Sequence, residues 1–161
     1  KGLWKALEEG TLDYVASDHS PTTPELKLLG QDNIKEAWGG INGVQYTLPV
    51  INTLLQRKKM DLSHLPLWLC QKPARFLGLA QKKGTIAPGY DADLGIWDPF
   101  EKTLTSREYS FSKYPLSPYI GEDLKGQVYC TYVQGEKAFD QNKFTNTPNG
   151  RILSSPLVKM S

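Results

Sequence analysis

Long apolar runs are missing from this 161-residue chain, and so is any strong excess of charge of one sign. No run approaches the roughly 18 residues that a membrane-spanning helix needs, so the sequence offers no candidate span. The net charge is only +2, with acids and bases interleaved. Arg57-Lys58-Lys59 and Lys82-Lys83 are short basic runs that read as solvated helix ends. No basic stripe interleaved with aromatics is present to grip nucleic acid. Cysteine is scarce, with Cys70 and Cys130 alone, which argues against a disulfide framework and for free, buried thiols in a reducing compartment. No Asn-x-Ser/Thr acceptor occurs, in keeping with an intracellular home, cytoplasm or organelle matrix. Histidine is as rare as cysteine: His19 and His64, with no His-x-His pair. What remains is ample for a core, since 39% of residues are apolar and four are tryptophan.

The most informative stretch is Val15-Ala16-Ser17-Asp18-His19-Ser20-Pro21. Leu12, Tyr14, Val15 and Ala16 form a short apolar run bounded by turn residues, the pattern of a buried parallel strand over Leu12–Ser17. Pro21 cannot donate to a ladder and keeps Ser20 from helical angles, so the strand ends there. A carboxylate at the carboxyl end of such a strand sits where β/α barrels keep their chemistry. The same Asp18 could equally cap a turn, a common use of Asp before Ser.

Around this stretch the chain reads as alternating helices and short β segments. Leu3, Ala6 and Leu7 share a face of a helix over Lys1–Glu9, closed at Gly10. A long loop rich in Pro, Thr and Gly runs to about Gly40. Val44, Leu48, Ile51, Leu54 and Leu55 recur at helical spacing, with Pro49 expected to kink that helix or mark a break near its first turns. Asp61 or Ser63 is the N-cap of the next helix. Pro66 fits that helix's first turn, and Pro73 is expected to divide the stretch into two helices. From Gly84 the texture becomes β: Thr85–Ala87, a Pro88-Gly89 turn, then Ala92–Trp97. Lys102 to Ile120 is irregular. Val128–Val133 is the clearest strand, and Gln134-Gly135-Glu136 turns it into Lys137–Asp140.

Several of these stretches carry a resemblance that periodicity alone does not. Ser17-Asp18-His19-Ser20-Pro21, Pro24-Glu25-Leu26-Lys27 and Ala37-Trp38-Gly39-Gly40-Ile41-Asn42-Gly43-Val44-Gln45 together resemble the allantoinases. These are metal-dependent cyclic amidohydrolases related to dihydropyrimidinase and dihydroorotase. The likeness continues through Lys72–Leu79, Gly84–Leu94, Ser117–Gly121 and Val133–Glu136, and so covers nearly the whole chain. The Gly84–Leu94 segment recurs across many amidohydrolases, whereas Asp-His-Ser-Pro joined to Ala-Trp-Gly-Gly-Ile is far narrower.

The resemblance implies an α/β fold: the carboxy-terminal end of a metal-dependent (β/α)8 TIM-type barrel plus part of a small β-sandwich domain. A barrel of roughly 250 residues does not fit into this chain, and the chain opens inside a helix without an initiator Met, so a carboxy-terminal piece of a larger protein is expected. Residues 1–81 would be the last strand and helices of the barrel. Residues 82–161 would be the partial sandwich with an irregular linker and a carboxy-terminal tail. The implied activity is hydrolysis of the cyclic amide of allantoin to allantoate, a step of purine and ureide catabolism, by metal-activated water. The implied cofactor is zinc, as two divalent ions in the full-length enzyme. The implied partners are a small-molecule substrate and, for the full-length protein, further copies of itself; neither nucleic acid nor membrane is expected.

Within that reading Asp18 is both metal ligand and catalytic proton shuttle. Ser20, Trp38 and His19 are candidate substrate-binding residues. Each has a plainer alternative. His19 follows Asp18 and so points to the other face of a strand, which suits a hydrogen bond behind the metal ligands, a neutral imidazole near substrate, or simple packing. Ser20 returns to the Asp18 side, or forms a turn. Trp38 shapes a ureide pocket or fills a core. Gly39 and Gly40 allow close backbone approach or a sharp bend. His64 reads as ordinary. The family's paired-metal site also takes a His-x-His element, a carboxylated lysine and two further histidines, none of which this chain supplies, so alone it is expected to be inactive. The competing readings are a dihydropyrimidinase-like or dihydroorotase-like relative, and a non-catalytic scaffold homologue that keeps the fold without the ligands.

Overall fold

The computed structural model describes residues 2–30, 34–145 and 150–153. Helix α1 (Gly2–Glu8) is followed by a single-turn helix α2 (Pro24–Lys27) and, after a 3-10 turn at Val44–Tyr46, by α3 (Thr47–Arg57). Next come α4 (His64–Pro66), a π-helical turn (Leu67–Gln71) and α5 (Lys72–Phe76). The strands follow: β1 (Leu94–Lys102), β2 (Lys125–Val133), β3 (Glu136–Asp140) and β4 (Lys143–Phe144), in the sheet order β1-β2-β3-β4. No helix among the described residues is long and apolar enough to cross a membrane.

The proline effects are local and legible. Pro49 lies in the first turn of α3, where backbone N–H groups have no helical partner, so it starts the helix instead of kinking it. Pro73 marks the boundary expected of it, between α4 with its π-helical turn and α5. It sits at the start of α5, immediately after the π-helical turn, whose wider winding gives the ring room against the preceding carbonyls. Asp61, not Ser63, caps the region: its Oδ1 accepts from the Ser63 N–H at 2.7 Å. Pro99 sits inside β1, which the strand order puts at an edge of the sheet, where a missing N–H is tolerated.

Two expected strands do not form. Leu12–Ser17 has no ladder partner among the described residues; Val15 N–H donates to Trp68 O at 3.2 Å, and only His19 pairs, as a single parallel bridge with Ile41. Leu12 and Ala16 are exposed accordingly. Thr85–Ala87 is likewise irregular, although the Pro88-Gly89 turn forms, closed by Tyr90 N–H to Ala87 O at 3.1 Å. Gln134 and Gly135 both take positive φ (53° and 84°) between the paired Val133 and Glu136, the mirror-image turn that suits a two-residue hairpin. Gln141 and Asn142 repeat the device before β4 (φ 44° and 65°).

The chain forms two compact units. The first comprises Lys1–Val15, Leu55–Asp98 and Val128–Ser161. Its core holds Leu55, Leu65, Trp68 and Ala74. Trp4 meets Trp68 edge-on at 5.9 Å and the His64 ring lies 4.8 Å from it, so His64 has the ordinary packing role expected. Gly84 is obligatory here: with φ +86°, a Cβ would lie 2.7 Å from Cys70 O and 2.9 Å from Ala74 Cβ. Lys83 bridges Asp91 at 2.9 Å and also contacts Asp93, whose other oxygen accepts from Gln134 N–H at 2.8 Å. Burial would raise the Asp93 pKa, but its hydrogen bonds from Lys83 and Gln134 outweigh that and hold the carboxyl below its ordinary value. Both cysteines are free, as expected, but neither is buried: Cys70 is exposed, and half-buried Cys130 donates to Asp140 Oδ1 at 3.0 Å.

The second unit comprises Ala16–Leu54 and Pro99–Gln127. Tyr46, Ile51 and Leu124 are its buried apolar side chains. Asn52, wholly inaccessible, donates from Nδ2 to Pro99 O and Lys125 O, both at 2.9 Å. Thr53 donates to Pro49 O at 2.7 Å and accepts from Lys125 N–H at 2.8 Å. Asn42 O accepts from the Ser117 hydroxyl at 2.6 Å, and Gln45 spans Tyr109 O and Phe111 N–H at 2.7 and 3.0 Å. The irregular 102–120 segment is thus tied to Asn42 and Gln45, just before α3, while Asn52 and Thr53 of α3 hold Pro99 and Lys125 on either side of it.

Candidate functional site

Asp18, His19, Ser20 and Trp38 all fall in the second unit, within residues 16–54. Asp18 is exposed and takes a left-handed backbone (φ 44°), a conformation that Asp tolerates better than most residues. Among the described residues its carboxylate has no protein hydrogen bond, while its backbone carbonyl accepts from Ser20 Oγ at 3.2 Å. Ser20 N–H donates to Ile41 O at 2.9 Å, and so the Asp18-His19-Ser20 turn is pinned to the Gly40–Val44 segment.

His19 does something the sequence did not suggest. Its Nδ1 accepts from both Gly43 N–H and Val44 N–H, each at 3.3 Å. These amides lead into the 3-10 turn and α3, where the first donors of a helix lack partners. The imidazole therefore caps that helix start. A ring whose Nδ1 accepts carries its proton on Nε2, so Nε2–H is left as a donor.

Trp38 is 50% exposed and is no core residue; the core tryptophan is Trp68. Its indole Nε1–H donates to Ser20 O at 3.2 Å, and its backbone N–H donates to Leu26 O at 2.8 Å. Gly40 is forced by Ser20, because a Cβ there would lie 2.7 Å from Ser20 Cβ and closer still to its oxygens. Gly40 thus serves close approach of two protein segments, whereas a Cβ at Gly39 would meet nothing within 4 Å.

The segment between these loops ends in α2, and its local sequence explains why it forms. Thr23 accepts from Leu26 N–H at 3.5 Å as N-cap, Pro24 occupies the first turn, and Leu28 stops the helix at φ 49°. The single turn presents Lys27, whose Nζ donates to Trp38 O at 2.8 Å and to Gly40 O. An open pocket of about 360 Å³ lies beside it, lined by Leu29, Ile41, Leu116 and Ile120 together with Arg107. Asp18 is not among the lining residues.

The arrangement gathers a free carboxylate, a fixed imidazole donor, a hydroxyl and a half-exposed indole on one loop system. It does not gather a metal site: among the described residues no group of three or more His, Cys, Asp and Glu side chains is poised to hold an ion. Asp18 offers one ligand of the three or four that a zinc ion takes from protein.

Comparison with known proteins bears on these residues. The model of the amidohydrolase family matches residues 1–138. The allantoinase of Saccharomyces cerevisiae is 40% identical over 154 residues, 95% of this chain and 33% of that protein. The allantoinase of Arabidopsis thaliana is 36% identical over 152 residues, 93% of this chain and 30% of that protein. Among solved structures, the D-hydantoinase (dihydropyrimidinase) of a Thermus species superposes with a TM-score of 0.80 at 30% identity, over 89% of this chain and 32% of that one. The chain therefore spans about a third of the length of the relatives it matches, and its α/β architecture is that of part of a hydantoinase.

Proposed function

Because the chain belongs to the amidohydrolase family, we propose that it forms part of an allantoinase and contributes Asp18, with its flanking loop, to hydrolysis of allantoin to allantoate. The observation that carries this reading is the free Asp18 carboxylate, projected from a turn that His19, Ser20 and Trp38 hold by hydrogen bonds to backbone. A group that is to bind a cation and move a proton must be both rigidly placed and unengaged.

In this reading Asp18 is a metal ligand that accepts a proton from the attacking water and passes it to the leaving ring nitrogen. The His19 Nε2–H and Ser20 Oγ face substrate as polar contacts, and the exposed Trp38 ring forms an apolar side of the ureide pocket. A zinc pair, when bound, supplies Lewis-acid activation of the water and the ring carbonyl. Asp18 suits such a cation as an oxygen donor, and the remaining ligands, a carboxylated lysine among them, lie outside this chain. The full-length protein is read as a homo-oligomer acting on a small molecule in purine catabolism, in the cytoplasm or an organelle matrix. Residues 1–81 and 82–161 are kept as its barrel and sandwich portions.

The fold likeness to a D-hydantoinase favours a second reading, a dihydropyrimidinase-like activity on a hydantoin or dihydropyrimidine ring. The full-length protein should turn over allantoin faster than hydantoin or dihydrouracil, and Asp18→Asn should lower allantoin turnover at least about 100-fold with the circular dichroism unchanged. Faster turnover of dihydrouracil would favour the second reading. An Asp18→Asn variant of near-normal activity would remove Asp18 from its role, and no turnover of any ring would leave the scaffold homologue.

A further inference from the structure

We infer that Lys27 is a positioning residue for the substrate wall: its ammonium ties the carbonyls of Trp38 and Gly40 to α2 and so holds the Trp38–Gly40 strip against Ser20. This rests on the allantoinase reading for the substrate, but the clamp itself is read from geometry. Two of the three Lys27 donors are used on backbone carbonyls ten or more residues away in sequence, with Trp38 O at 2.8 Å. The neighbouring backbone bond, Trp38 N–H to Leu26 O at 2.8 Å, closes the same junction from the other side.

Three features give the clamp leverage on the site. Lys27 lies against the apolar walls of the Leu29–Ile41 pocket, where a charge-assisted hydrogen bond is less screened than in open water. Within the strip it holds, Gly39 and Gly40 have no side chains, so their backbone groups are what another residue can grip, and Lys27 grips the Gly40 carbonyl. That strip carries Trp38, whose indole N–H in turn holds the Ser20 carbonyl at 3.2 Å. The order of dependence runs from Thr23 and Pro24, which build α2, through Lys27 to Trp38 and then Ser20.

Lys27 touches no reacting atom in this arrangement, so its loss should weaken substrate placement more than chemistry. The test is Lys27→Met and Lys27→Arg in the full-length protein, with exposed Lys5→Met as control. Two readouts are taken: steady-state kinetics on allantoin, and amide hydrogen exchange of residues 37–43. Lys27→Met should raise KM about tenfold to a hundredfold with kcat within about threefold. It should also speed exchange in residues 37–43 while leaving α3 protected. Lys27→Arg, which keeps the charge and donors, should recover part of both effects. An unchanged KM, or a fall in kcat alone, overturns the role in substrate placement; unchanged exchange overturns the clamp. If the unaltered protein fails to turn over allantoin, the substrate reading fails and the exchange comparison alone decides the clamp.

Discussion

Replacing Asn52 should cost more than its position mid-helix suggests. The side chain is wholly inaccessible, and both Nδ2 hydrogens are spent on carbonyls, those of Pro99 and Lys125, at 2.9 Å each. Asn52→Ala removes both donors and leaves a small void. A buried acceptor left short of its partner costs about 1–3 kcal/mol, and partial relaxation or water entry reduces the sum for two acceptors on neighbouring strands. Adding the modest cavity term, the loss should be about 2–4 kcal/mol. Asn52→Asp is the sharper variant: it preserves shape but turns acceptor oxygens toward two carbonyls, and should destabilise at least as much as Asn52→Ala at neutral pH. Asn52→Leu restores volume without donors and should stay well below the unaltered protein. Urea unfolding of the full-length protein, with the slope compared between variants, measures all three. A loss under about 0.5 kcal/mol for Asn52→Ala, or Asn52→Leu equal to wild type, would refute the reasoning that the two hydrogen bonds carry the effect.

Gly84→Ala should destabilise by about 1–3 kcal/mol or more, since φ +86° and a Cβ 2.7 Å from Cys70 O leave no relaxed position; a thermal midpoint equal to wild type would contradict it. Asp93 has a lowered pKa when folded, so its contribution is present above its unfolded value near 3.9 and is lost as pH falls through the folded one. Asp93→Asn should therefore be less stable than wild type at pH 7, with the gap closing below about pH 4 in a pH series of unfolding curves. Lys83 has the opposite sign: its pKa is raised, chiefly by its hydrogen bond to Asp93, so the same interaction fades only in strong alkali. The isolated 161-residue chain, with Asp18 and at most His19 as candidate ligands among the described residues, should retain no stoichiometric pair of divalent ions after dialysis, as elemental analysis would show.

What the sequence made legible was mostly punctuation. Pro88-Gly89 and Gln134-Gly135 turn where their backbone preferences demand, and Asp61 caps where a short polar side chain can reach back. The Val128–Val133 strand was clear from its β-branched and aromatic residues, though it begins three residues earlier at Lys125. Leu12–Ser17 misled because a strand is a property of a pair, and the described residues offer that run no neighbour. Pro73 was legible as the start of α5, but the π-helical turn leading into it was not, since no residue type announces that wider winding. At the candidate site, Asp18 stood out by its place after an apolar run, and Ser20 and Trp38 by the resemblance; their grip on one another's backbone did not show. Nor did the cap made by His19, because its partners are two plain amides 24 and 25 residues on, and an amide leaves no mark in a sequence. Lys27 could have been found from Thr-Thr-Pro-Glu-Leu-Lys, whose cap and proline announce a helix turn ending on a lysine.

Much of the loop around Asp18 is held by side chains that grip backbone: Lys27 on Trp38 and Gly40, Trp38 on Ser20, Ser20 on Asp18, His19 on Gly43 and Val44. Such bonds are one-sided in what they demand of a genome. The gripping residue is fixed, but a gripped residue with no further role contributes only its peptide group and can drift in identity. Val44, with its side chain 58% exposed, could thus be exchanged for polar or larger residues while still presenting the same N–H to His19. A saturation library across residues 17–45 should therefore divide into rigid and permissive positions that interleave along the loop. New substrate preferences would be reached through the permissive set, with the frame that aims the carboxylate left untouched.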